Sequence, residues 1–64
     1  MFYIYSNKAI EVINYLNSIG ANVLNSRSIG WTGEQLLTSA TPEQMEEVAH
    51  KFGGYITNYA VYIK

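Results

Sequence analysis

No cysteine occurs anywhere in this 64-residue chain, and that absence, in so short a chain, constrains the fold more than any motif does. A chain of this length sits near the lower limit at which a buried core can hold a fold by itself. Such a core rarely contributes more than about 3–5 kcal/mol of net stability. Short chains usually add disulfides, a structural metal or a second subunit. Disulfides and zinc–thiolate sites both require cysteine, which leaves tight packing or association with another chain. A hydrophobic fraction of 48%, with six Tyr, two Phe and one Trp, is enough for a packed core and argues against disorder. We therefore expect one domain over residues 1–64, self-associating as a homodimer.

Two helices are legible from period and caps. Ala9, Val12, Ile13, Leu16 and Ile19 recur at three- and four-residue spacing and make one apolar stripe, with Glu11, Asn14 and Ser18 opposite. Ser6 or Asn7 is placed to cap this helix, and Gly20 suits a left-handed C-terminal residue. The second helix opens on Thr41-Pro42-Glu43-Gln44, which supplies an N-cap, a proline in the first turn and a capping-box glutamine. Met45, Val48, Ala49 and Phe52 form its apolar face, and Gly53-Gly54 ends it. Glu43, Glu46 and Glu47 lie toward the positive end of its dipole, with His50 and Lys51 toward the negative end.

The remaining segments read as strands. Phe2-Tyr3-Ile4-Tyr5 alternates strand formers. Residues 21–26 and 34–39 are expected to form a hairpin around a loop over 27–33, and residues 55–63 read as one final strand. The order β-α-β-β-α-β, with right-handed crossovers, predicts an α+β two-layer sandwich. In this ferredoxin-like arrangement a four-stranded antiparallel sheet carries both helices on one face, with the first and third strands central. The element order resembles ACT-type and RRM-type modules in a general way, without the ligand-binding or RNA-binding residues of either.

The inventory for catalysis is thin. The chain has one histidine, no aspartate and no cysteine, so general acid–base and nucleophilic chemistry lack their usual groups. Gly30-Trp31-Thr32-Gly33 lacks the length and the lysine of a phosphate loop. Glu46 and His50 are four apart, a spacing that can hold a metal, but a solvated charged helix face accounts for them more simply. We expect neither an enzyme nor a cofactor. Four scattered basic residues and a net charge of −1 make a poor footprint for phosphate neutralisation. No segment approaches the roughly 18 apolar residues needed to span a bilayer, and the N-terminus has no secretory pattern. A cytoplasmic setting is expected. The initial Met followed at once by a strand suggests a whole small gene product. The richness in Asn, Ile and Tyr hints at a phage or a low-GC bacterium.

Function is then sought on surfaces. If Phe2 and Ile4 point inward, Tyr3 and Tyr5 stand on the uncovered sheet face. With Tyr59, Val61 and Ile63 inward in the last strand, Asn58, Ala60 and Tyr62 join them there. Tyrosine combines apolar area with a polar tip and is enriched at interfaces. Tyrosines also simply suit half-exposed sheets, and aromatic sheets can stack bases. Trp31 and Arg27 in the hairpin loop are further candidates, since these residue types dominate binding hot spots. Trp31 can equally fold back over the core. Glu43, Glu46 and Glu47 form an acidic face for a basic partner. The expected function is a non-enzymatic protein-binding module, a small regulator or inhibitor of a larger protein, of a kind that phages and mobile elements encode. The alternative is a single-stranded nucleic-acid (RNA) binder using the same tyrosines.

Overall fold

The computed structural model describes residues 1–30 and 33–63. Its elements are β1 (Phe2–Ser6), α1 (Ala9–Ser18), β2 (Val23–Ser28), β3 (Glu34–Thr38), α2 (Pro42–Phe52), β4 (Tyr55–Thr57) and β5 (Ala60–Ile63). They build an α+β domain with one five-stranded sheet in the order β2-β3-β1-β5-β4. The β1–β3, β2–β3 and β4–β5 pairs are antiparallel, and β1–β5 is parallel.

Two expectations about the sheet need correction. The strand count is five rather than four, and the sheet is mixed rather than antiparallel, so the ferredoxin-like order does not hold at this end. The physical reason lies in residues 55–63, which form a hairpin instead of one strand. Thr57 and Ala60 pair across a two-residue turn, and Asn58 at its first position takes a left-handed φ of 47°. Asparagine tolerates that conformation better than most side chains. The reversal leaves β4 on the edge, antiparallel to β5, and sends β5 back between β4 and β1. The expectation that β1 and β3 are interior strands agrees with the sheet order.

Both helices pack on the same face of the sheet. Ala9, Val12 and Leu16 of α1 share one core with Met45, Val48 and Ala49 of α2 and with Phe2, Ile4, Leu36, Val61 and Ile63 from the strands. Ile4, Val12, Leu16, Leu36, Met45, Val48 and Val61 are fully buried. Each such side chain contributes roughly 1.5–3 kcal/mol by leaving water, an upper figure because the unfolded chain already buries some of that surface.

The helix ends follow the sequence closely, with one adjustment. The hydroxyl of Thr41 accepts the Gln44 N–H at 3.2 Å, and the Gln44 side-chain oxygen accepts the Thr41 N–H at 2.9 Å. This is the expected capping box. The same Gln44 amide also donates to the Ile19 carbonyl at 3.0 Å, tying the start of α2 to the end of α1. Gly20 has φ of 84°. The Gly20 and Ala21 amides donate back to the carbonyls of Asn17 and Leu16, the paired bonds of a Schellman end. At the start of α1 the N-cap position is Lys8, with no side-chain cap. Ser6 instead accepts the Lys8 N–H at 2.9 Å, which stabilises the turn ahead of the helix rather than the helix itself.

Candidate functional site

The sheet face opposite the helices is the part of the molecule that folding leaves uncovered. Register fixes its composition. Tyr5 of β1 stands opposite Gln35 of β3 and beside Tyr62 of β5. Gln35 pairs with Arg27 of β2, and Tyr62 with Tyr55 of β4. One row therefore crosses all five strands: Arg27, Gln35, Tyr5, Tyr62, Tyr55. A second row holds Asn25, Leu37, Tyr3, Ala60 and Thr57 by the same pairings.

The three tyrosines of the first row are stacked on one another. The Tyr5 and Tyr62 ring centroids are 5.0 Å apart with planes 11° from parallel. Tyr62 and Tyr55 are 5.3 Å apart at 20°. These separations are too short for rings lying side by side in one plane, so the rings are offset-stacked. Cross-strand spacing of about 4.8 Å is what sets this repeat. Tyr3, two residues before Tyr5, adds a tilted contact at 6.4 Å. At the other end, the Gln35 side-chain amide donates to the Tyr5 hydroxyl at 2.9 Å. That bond fixes the height of the Tyr5 ring above the sheet.

Gly54 sits beneath this row. A Cβ there would fall 2.5 Å from the Tyr62 carbonyl oxygen, closer than any unstrained contact. The missing side chain lets the chain leaving α2 press against β5 and brings Tyr55 into register with Tyr62.

Of the expected surface residues, the structure brings Tyr3, Tyr5 and Tyr62 together and adds Tyr55, which sequence reasoning missed. Arg27 is placed differently from the expectation: it lies within β2 and not in the loop, because β2 runs on to Ser28. It thereby joins the polar end of the tyrosine row. Trp31 lies outside the described residues, although Gly30 and Gly33 on either side take positive φ. Glu43, Glu46 and Glu47 are exposed on α2, on the helical side of the molecule, so they do not share a surface with the tyrosines. Tyr59, expected inward, is 73% exposed at the β4–β5 turn and contacts Phe2 at a centroid distance of 6.0 Å. Asn58, expected on the open face, forms that same turn.

No family model, curated protein or solved structure matches this chain. The site's chemistry therefore rests on its own residues.

Elsewhere, a cleft of about 430 Å³ opens between the end of β1, the first turn of α1 and the β2–β3 loop. Among the described residues its hydroxyls are those of Ser6 and Ser28, and His50, the one histidine, is on α2 and not in its lining. Among the described residues no three His, Asp or Glu side chains gather as metal ligands. Among the described residues no helix is long and apolar enough to cross a membrane.

Proposed function

We propose that this chain is a non-enzymatic protein-binding module that acts by covering a surface of a larger protein with its tyrosine face, in the manner of a small regulator or inhibitor. The observation carrying this reading is the stacked row of Tyr5, Tyr62 and Tyr55 on the uncovered face, with Tyr3 beside it. Folding alone does not require aromatic residues there, since the same face of β3 uses Gln35 and Leu37. Among the described residues, Tyr3, Tyr55, Tyr59, Tyr62 and Ile56 are five of the eight large apolar residues left exposed. All five lie on β1, β4, β5 and their turn, and Tyr3, Tyr55 and Tyr62 share the open face. That is a cluster rather than the scatter normal on a surface. Stacking also holds each ring in place before a partner arrives, which reduces the ordering cost of binding.

The nucleic-acid alternative is weaker on the same geometry. A base stacks on an open ring face, whereas the inner faces of Tyr5, Tyr62 and Tyr55 cover one another. Arg27 is the one cation the described residues place on this face. Tyr3→Ser combined with Tyr5→Ser tests the reading. The double variant should lose partner association while its circular dichroism melt stays cooperative. Undiminished association would remove the assignment, and quenching of tyrosine fluorescence by short oligonucleotides at low salt would replace it with the alternative.

A further inference from the structure

We infer that β4 pairs with β4 of a second copy, antiparallel about a two-fold axis at Ile56, so that two chains share one continuous sheet. The inference rests on the edge backbone and not on the binding role of the tyrosine face, so either can fail without the other.

Consider first which backbone groups point outward. Tyr59 accepts a hydrogen bond from the Tyr3 N–H at 2.9 Å, so its carbonyl points toward β1. Backbone groups alternate sides along a strand, so those of Val61 point toward β1 as well, and those of Ala60 and Tyr62 point toward β4. Their partners Thr57 and Tyr55 therefore face β5. Ile56, between them, directs its N–H and C=O away from the sheet. An Ile56 from a second chain, running the opposite way, can exchange both bonds with it.

The two edges of the sheet differ in how they resist such pairing. Edges are commonly blunted by bulges and charges. β2 has both, with a register shift between Val23 and Asn25 and Arg27 in the strand. β4 reads Tyr-Ile-Thr, with no charge, proline or bulge, and all three residues are exposed. Two such edges meet without like-charge repulsion, and the net charge of −1 per chain adds little. β4 is short, so side chains must supplement the backbone bonds. Ile56, 39% exposed on the helix side, would face its own copy directly. On the open side the two Tyr55 rings become diagonal neighbours about 7–8 Å apart, within aromatic reach.

The two-fold axis stands perpendicular to the sheet, so both tyrosine faces lie on the same side.

Sedimentation equilibrium over a wide concentration range tests the inference. The wild-type chain should dimerise, and Ile56→Pro, which removes the outward N–H and leaves the bonds to β5 intact, should weaken the dimer about 100-fold. The Tyr3→Ser, Tyr5→Ser double variant should still dimerise. As a readout that does not depend on proline being tolerated, Ile56→Cys introduces the only thiol of the chain, about 5.5 Å between Cα atoms from its copy and within disulfide range. Mild oxidation should link it into a covalent dimer, while Leu24→Cys on β2, at the opposite edge of the sheet, should form no covalent link. A wild-type monomer at every concentration would overturn the inference. So would a dimer that survives Ile56→Pro while oxidised Ile56→Cys forms no covalent link, or one lost only in the tyrosine double variant.

Discussion

The two halves of the open sheet face share one core beneath them and differ sharply above it. On β2 and β3 the outward residues are Asn25, Arg27, Gln35 and Leu37. On β1, β5 and β4 they include Tyr3, Tyr5, Tyr62 and Tyr55. The inward residues of both halves obey the same demand: Leu36, Ile4 and Val61 are all fully buried. That demand ends at the sheet plane. The polar half shows that this fold tolerates an ordinary solvated surface, so the tyrosine half needs a separate explanation. Cross-strand aromatic pairs contribute roughly 0.2–1 kcal/mol each, so the row adds to stability, yet β2 and β3 hold the same sheet without one.

The comparison can be broken or sharpened by substitution, most strongly at Gly54. Gly54→Ala forces a Cβ against the Tyr62 carbonyl and should cost about 2–3 kcal/mol, read as a lower urea midpoint. Loss of the Tyr55–Tyr62 ring contact should accompany it in NMR spectra. If Gly54→Ala is neutral, β4 does not lie where the row requires. Tyr62→Ala removes the ring in the middle of the stack and should cost about 1–2 kcal/mol. Asn58→Val puts a β-branched residue at a φ of 47° and should cost about 1 kcal/mol by thermal melting. Arg27→Ala, in the polar half, should stay within about 0.5 kcal/mol. An Arg27→Ala loss as large as that of Tyr62→Ala would erase the distinction between the halves.

The reach of the sequence differs between these regions for a physical reason. Helix caps and apolar stripes are local, so spacing alone places Thr41, Gln44 and Gly20 where the structure has them. The alternation of Phe2, Tyr3, Ile4 and Tyr5 is equally local and equally legible. Residues 55–63 are not, because nine residues that read as one strand hide a turn in their middle. A single strand puts Tyr55 on the inward side with Tyr59, Val61 and Ile63. A two-residue turn reverses the chain and pairs Tyr55 with Tyr62 on the outward side. Asn58 is the available signal, a turn-prone residue able to take positive φ. Arg27 moves from loop to strand because β2 outruns the expected strand by two residues. The register that stacks Tyr5, Tyr62 and Tyr55 depends on long-range pairing of three strands, and no local pattern encodes it.

The most direct test of the tyrosine face as a protein-binding surface is site-specific photocrosslinking. A benzophenone amino acid would replace Tyr62 on the open face in one protein and Glu46 on the acidic helix in another. Both would be irradiated in the same extract of the source cells. The account predicts discrete protein adducts from position 62, beyond any link to a second copy of the chain, and none from position 46. Adducts from position 46 alone, or nucleic acid as the species captured at position 62, would contradict it.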